Sequence, residues 1–381
     1  MSAPKTVSAP APIAFMDLAT QQRRIKAAVD ANLARVLAHG QYILGPEVGE
    51  LEKQLAAFAG VKHAIGCASG TDALVLPLLA RGIGAGDAVF SPSFTFIATA
   101  EAAVIVGATP VFVDVDPETF LLDPQSLTAA IAQARAQGLR PAAVIPVDLF
   151  GQPADYAAID TIARGEGLFV IADAAQSFGG ARGGKRVGAM APVTSTSFFP
   201  SKPLGCYGDG GAILTDDDEI AKTIRSLRVH GQGAHKYDNI RIGVNSRLDS
   251  MQAAVLLAKL TVFEDELVAR DRVAKRYDSA LANVVRTPRI EPGVRSAWAL
   301  YTIAASNRNR LAERLKARGV PTAIYYPIPL HRQQAYRSYP IAPGGLAVSE
   351  RLADEVISLP MHPYLEPAAQ DAVVAALRES L

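Results

Sequence analysis

Lys202 is the lone lysine in SFFPSKPLGCYGDGG, Ser197 to Gly211, a stretch otherwise built of aromatics, prolines and glycines. A lysine in apolar, sterically tight surroundings loses hydration, which lowers its pKa and leaves an amine able to attack a carbonyl. Alone, Ser-Lys-Pro reads as a surface lysine in a glycine-rich turn. A second segment, VIADAAQS from Val170 to Ser177, shifts that balance. The apolar run Leu168 to Ala172 reads as a strand buried on both faces of a parallel sheet, and it ends in Asp173. Ligands of open α/β sheets sit beyond the carboxyl ends of strands, which places Asp173 at a binding site; the plainer reading is a cap for the next turn. A buried carboxylate needs a cationic partner or several donors, and a protonated pyridine nitrogen is such a partner. A Schiff-base lysine with a pyridinium-pairing aspartate is the minimum protein equipment for pyridoxal phosphate chemistry.

A third segment, CASGTDAL from Cys67 to Leu74, lies between two apolar runs and reads as a loop entering a helix. Free N–H groups and the positive dipole end at Gly70, Thr71 and Asp72 favour a phosphate. The commoner use of Ser69 or Thr71 there is as an N-cap. Ser197 adds a hydroxyl that could reach the same phosphate.

These residues need a scaffold, and the chain alternates helical and strand-like patches. Ile25 to Ala38 and Val48 to Ala59 read as amphipathic helices. Ala88 to Phe90, Val111 to Val115, Val144 to Val147 and Phe169 to Ala172 read as short apolar strands. Such alternation predicts an α/β fold with a mostly parallel sheet and helices on both faces. Residues 1–13 (MSAPKTVSAPAPI) read as a flexible tail, 14–260 as the large domain and 261–381 as a smaller α/β domain. In the latter, Leu300 to Ala304 and Thr322 to Tyr326 are expected strands around a helix, Asn309 to Arg318.

Composition excludes several functions. The 381 residues carry 38 Lys and Arg against 37 Asp and Glu, a net charge of +1 that gives no reason to expect nucleic acid or a basic membrane patch. The longest uncharged apolar stretch, Ala102 to Val113, is too short to span a bilayer and contains Pro110. Six histidines are scattered without metal-ligand spacing, so no metal is expected. The two cysteines, Cys67 and Cys206, fit a reducing cytoplasm.

The lysine, aspartate and helix-entry segments resemble those of fold type I, aspartate-aminotransferase-like pyridoxal phosphate enzymes, and more narrowly the DegT/StrS-type sugar aminotransferases. HGQYILGPE (His39 to Glu47), PSFTFIAT (Pro92 to Thr99), GVNSRLD (Gly243 to Asp249), YYPIPLH (Tyr325 to His331) and PMHPYL near the end extend the likeness over nearly the whole chain. The wording is closest to a subgroup that aminates the 3-keto position of a UDP-linked 2-acetamido-hexuluronic acid for bacterial surface polysaccharides such as O-antigen. The resemblance implies a seven-stranded-type sheet, a homodimer with shared active sites, and N-terminal residues packed on the small domain. It implies that Lys202 carries the cofactor and shuttles a proton, that Asp173 pairs with the ring nitrogen, and that Gln176 lies near the ring hydroxyl. Thr71, Asp72 and Ser197 would hold the phosphate, and Phe96 rather than Phe94 would stack on the ring. Asn245 would reach the neighbouring subunit's phosphate. Gly40, Tyr42, Ser201, Arg247, Tyr325 and Tyr326 would contact the nucleotide-sugar, with L-glutamate as amino donor. Tyr325 departs from the subgroup, which carries His there, so a dTDP-linked 3-keto or 4-keto-6-deoxyhexose is an alternative acceptor.

Other classes fit less well. GGARGGK, Gly179 to Lys185, begins like a nucleotide-triphosphate loop but is followed by Arg186 instead of Ser or Thr, and reads better as a hairpin turn. Gly208 to Ile213 lacks the last glycine of a dinucleotide fingerprint. A dehydratase of the same fold would have His in place of Lys202. A non-enzymatic pyridoxal phosphate-binding regulator differs only in lacking turnover.

Overall fold

The protein is described here by a computed structural model of residues 12–381; positions 1–11 of the expected tail lie outside the described residues. Asp17 caps α1 (Leu18–His39) by accepting from the Thr20 amide, and Gly40 closes it with φ 68°, a left-handed conformation that costs glycine little. Pro46 opens α2 (Pro46–Ala59) at a position where its missing N–H is no loss. The alternation then runs through β1 (His63–Cys67), α3 (Gly70–Ala80), β2 (Asp87–Pro92), α4 (Ala98–Ile105) and β3 (Thr109–Val113). It continues with α5 (Pro124–Ala136), β4 (Arg140–Val144), α6 (Tyr156–Glu166) and β5 (Phe169–Asp173). A hairpin of β6 (Ala181–Arg182) and β7 (Lys185–Arg186) follows, turning on Gly183 and Gly184, both at positive φ. It is the turn expected of GGARGGK. Next come β8 (Val193–Ser197), β9 (Gly211–Thr215), α7 (Asp218–Leu227) and the long α8 (Ser250–Leu281). The last part holds β10 (Val294–Arg295), β11 (Tyr301–Ala304), α9 (Arg308–Ala317), α10 (Ala347–Glu355), β12 (Val356–Leu359) and α11 (Pro367–Ser380).

The main sheet has seven strands in the order β1-β9-β8-β5-β4-β2-β3. Only β9 runs against its neighbours β1 and β8; the β5–β8, β4–β5, β2–β4 and β2–β3 pairs are parallel. This is the mostly parallel α/β sheet expected. Successive strand residues serve opposite faces. Val89, Ala143 and Ile171 pack with α3, α4 and α7, whereas Phe90, Val144 and Val170 pack with α5 and α6. Burial on both faces explains why these strands are continuous apolar runs rather than alternating ones.

Two expected strands differ. The fourth is Arg140–Val144, not Val144 to Val147: Pro146 has no N–H to give the ladder, and beyond it only a single bridge joins Val147 to Asp173. Thr322 to Tyr326 is not a strand; one bridge, Ala323 to Ser358, is all the pairing there, because Pro321 and Pro327 bracket the segment. The expected boundary at 260/261 falls inside α8. The first half of that helix packs on the sheet through Leu256 and Leu257, and its second half, Val273 to Leu281, joins β11, β12, α9 and α11 in a separate apolar cluster that Ile13 also contacts.

Candidate active site

Because β1, β2, β4, β5 and β8 point the same way, their carboxyl ends share one edge of the sheet, and the loops leaving them enclose a cavity of about 450 Å³. Ser69, Gly70 and Thr71 arrive from β1, Thr95 and Phe96 from β2, Asp173 and Gln176 from β5, and Ser197, Ser201 and Lys202 from β8. Tyr325 and Tyr326 close it from the later part of the chain.

The Lys202 amine is withdrawn from water, which pulls its pKa below the ordinary lysine value, while the Asp173 carboxylate opposes that shift. Burial raises Asp173 above the ordinary carboxylate range against the lowering effects of Thr99, the Ala175 amide and Lys202. Thr99 donates to Asp173 Oδ2 at 2.8 Å and the Ala175 N–H to Oδ1 at 3.2 Å. A hydrogen bond to a buried charged group contributes about 1.5–3 kcal/mol, so Thr99 matters to whether this carboxylate ionises.

At α3, Ser69 is the N-cap and its Oγ accepts from the Asp72 amide at 3.1 Å. The Gly70 and Thr71 N–H groups make no hydrogen bond within the described residues and are left for an anion. A Cβ on Gly70 would lie 2.6 Å from Ser197 Cβ, so only glycine lets that amide and the Ser197 hydroxyl face the same space. Asp72 does not line the cavity.

Gln176 is buried, and its orientation is dictated by its neighbours. The Phe150 N–H donates to Oε1 at 2.8 Å, which turns the Gln176 NH₂ toward the Tyr326 hydroxyl, 3.1 Å away. Tyr326 thereby accepts one bond and keeps its own proton for the cavity. Phe96 lies 6.0 Å from Tyr326 between ring centroids, in a tilted arrangement, and is half exposed in the cavity wall. Phe94 is fully buried among Phe120 and Phe150 in edge-to-face contacts and is core.

Gly40, Tyr42, Asn245 and Arg247 do not line this cavity. Tyr42 adjoins the start of α8, where Ile43 bridges Asp249 and the Ser250 amide donates to the Tyr42 carbonyl at 2.8 Å, while Asn245 bridges Val229. Sequence reasoning missed Thr99, Asp209 in the cavity wall, and the buried carboxylate Asp148 behind it. Thr99 and Asp209 lie inside segments already singled out, PSFTFIAT and SFFPSKPLGCYGDGG, yet nothing in a threonine's or aspartate's type announces such a partner.

The donor set fits pyridoxal phosphate: an amine of lowered pKa, a buried carboxylate with two hydrogen-bond donors, free helix-terminal amides beside a hydroxyl, and an aromatic face. A model of the DegT/DnrJ/EryC1/StrS aminotransferase family matches residues 23–378. The chain is 53% identical to a Pseudomonas aeruginosa protein named UDP-2-acetamido-2-deoxy-3-oxo-D-glucuronate aminotransferase, over 96% of this chain and 99% of that one. It is similar to the crystal structure of a DegT DnrJ EryC1 StrS aminotransferase from Brucella abortus, with a TM-score of 0.95, 55% identity, and coverage of 96% of this chain and 99% of that one. It also resembles NtdA from Bacillus subtilis with bound cofactor PMP, with a TM-score of 0.85, 30% identity, and coverage of 96% and 83%.

Proposed function

Because the chain belongs to the DegT/DnrJ/EryC1/StrS aminotransferase family, we propose that it moves an amino group from L-glutamate to the 3-keto position of a UDP-linked 2-acetamido-2-deoxy-hexuluronic acid. The product would serve the building of a surface polysaccharide such as O-antigen. The observation that carries the reaction class is Lys202, an amine of lowered pKa facing Asp173 in a cavity that also holds free α3 amides.

Lys202 would hold the cofactor's aldehyde carbon, Asp173 its ring nitrogen, Gln176 its ring oxygen and Phe96 one face. The Gly70 and Thr71 amides with Ser197 would hold its phosphate, and Asp72 would act through the helix end rather than by contact. When bound, pyridoxal phosphate supplies an electron sink for the pair released when a C–H bond beside nitrogen breaks. When not bonded to the cofactor, Lys202 Nζ would carry the proton between the amino-bearing carbon of donor or sugar and the cofactor carbon it had held, a role worth roughly 10²–10⁴-fold in each direction. By donating to Asp173 Oδ2, Thr99 favours the ionised carboxylate that would pair with the ring nitrogen. Ser201, Tyr325 and Tyr326 stand where the sugar would lie, and the Tyr326 hydroxyl has a proton to donate to it.

The enzyme would act as a cytoplasmic homodimer. In support, Cys67 and Cys206 are unpaired, and no helix among the described residues is long and apolar enough to cross a membrane. Tyr237 and Ile242 are 88% and 94% exposed on the segment leading to Asn245 and Arg247, an apolar surface that a second copy would cover. There Asn245 would reach the partner's phosphate, and Gly40, Tyr42 and Arg247 its nucleotide-sugar. Tyr325, in place of the subgroup's His, favours a second reading in which the acceptor is a dTDP-linked keto-hexose.

Absorption spectra of the purified protein before and after L-glutamate, followed by a panel of UDP- and dTDP-linked keto-sugars, test both readings. The proposal expects a visible band that glutamate bleaches and the UDP-linked 3-keto uronate restores. A protein without a cofactor band would overturn the reaction class, and recovery only with a dTDP sugar would overturn the acceptor.

A further inference from the structure

Ser93, just past β2, and His331, at the end of the Tyr325–His331 segment, form a hydrogen-bonded latch between two segments that line the cavity. The Leu330 N–H donates to the Ser93 carbonyl at 2.8 Å, and the His331 N–H to Ser93 Oγ at 3.2 Å. The Glu350 carboxylate facing Nε2 calls for a proton on that nitrogen, and in the neutral ring Nδ1 is then the acceptor for the Ser93 hydroxyl proton, 2.7 Å away. Nε2 then donates to Glu350 Oε1 at 2.9 Å, and Arg332 holds the same carboxylate through Nε at 3.0 Å. Glu350 stands on α10, whose first turn is pinned to the sheet by Asp114, which accepts from the Val348 and Ser349 amides at 3.0 and 2.8 Å. A Ser-His-Glu trio invites comparison with a nucleophile relay, but Ser93 is fully buried and no substrate can reach it.

The latch joins the two walls of the site. Two residues past Ser93 the chain reaches Thr95 and Phe96, and a few residues before His331 it carries Tyr325 and Tyr326. The tyrosine wall is held at its other end where Ala323 and Ser358 exchange hydrogen bonds at 3.2 and 2.8 Å. Between the two clamps, Pro327 and Pro329 limit how the backbone can move. We propose that His331 is a positioning residue: by gripping Ser93 and Glu350 together it sets the width of the slot between Phe96 and the Tyr325–Tyr326 wall that the keto-sugar must enter. The assignment of a keto-sugar rests on the function proposed above; the latch itself rests on the hydrogen bonds.

The test uses His331→Ala and His331→Asn in the holoenzyme; Asn can accept from Ser93 in place of Nδ1 but cannot reach Glu350. Hydrogen–deuterium exchange of peptides covering 93–97 and 322–331 should quicken together in His331→Ala and return only in part in His331→Asn, which keeps the Ser93 bond and loses the Glu350 one. In single-turnover assays, KM for the keto-sugar nucleotide should rise roughly tenfold or more in His331→Ala, while the L-glutamate half-reaction changes less than about threefold. Unaltered exchange in His331→Ala, or equal slowing of both half-reactions with Asn no better than Ala, would overturn the latch. If the wild-type enzyme ignores every keto-sugar, the acceptor assignment falls and the exchange data alone decide the latch.

Discussion

Asp173 and Asp148 stand near each other at the sheet edge, and burial pushes both above the ordinary carboxylate range. Their surroundings give them different work. Asp173 faces the cavity and Lys202, whereas Asp148 is sealed behind it, accepting from Ala154 N–H at 2.8 Å, Tyr156 O–H at 2.6 Å and Ser177 O–H at 2.5 Å. Desolvation, the largest influence, raises Asp148 from 3.8 to about 6, with Asp173 adding to the rise. A raised folded-state value means the native protein binds the proton more tightly than the unfolded chain. Its contribution to stability is present below about pH 4 and is lost as pH rises through about 6. Asp148→Asn keeps the two bonds to Oδ1 and turns an NH₂ toward Ser177. It should therefore match the wild type near pH 4 and exceed it by about 1–3 kcal/mol above pH 7 in urea unfolding. A pH-independent difference would mean the carboxyl ionises freely. At Lys202, the Lys202→Ala protein should bind pyridoxal phosphate without a covalent bond and show negligible turnover. Borohydride reduction and peptide mapping should find the adduct at residue 202 in the wild type and none in the variant.

The element that does most at the site is the β1–α3 turn. Its amides are useful only because α3 starts flush against β8, and that approach depends on Gly70. In Gly70→Ala the new methyl would sit 3.0 Å from Ser197 Oγ, pushing the hydroxyl away from the amides. Losing one hydrogen bond to a charged group should weaken cofactor binding roughly 10–100-fold by equilibrium dialysis, with the circular dichroism spectrum unchanged. An unaltered dissociation constant would place the phosphate elsewhere. Gln176 shows the same dependence on an element: its NH₂ faces the cavity only because the loop after β4 presents the Phe150 amide behind it.

At the scale of the molecule, most predicted site residues line the cavity, whereas Gly40, Tyr42, Asn245 and Arg247 do not. If two chains share their sites, a Lys202→Ala chain and an Arg247→Ala chain, each nearly inactive alone, should regain activity when refolded together. One intact site in each mixed dimer predicts about a quarter of wild-type activity. No recovery, with dimers confirmed by light scattering, would show that Arg247 serves its own chain.

Much of this was legible from local signals. Lys202 in its apolar surroundings, Asp173 at a strand end and Gly70 at a helix entry were visible because each depends on immediate neighbours. The alternating α/β pattern was visible because two-faced burial leaves unbroken apolar runs such as Phe169 to Ala172. Val144 to Val147 and Thr322 to Tyr326 misled for the opposite reason: apolar composition suggested strands, while proline decided the pairing. Thr99 beneath Asp173, the pairing of Asp148 with Ser177 and the Ser93–His331 latch came only with the tertiary structure. Each joins residues far apart in the chain, and a hydrogen bond or a shared wall between such residues exists only once the sheet has set their separation.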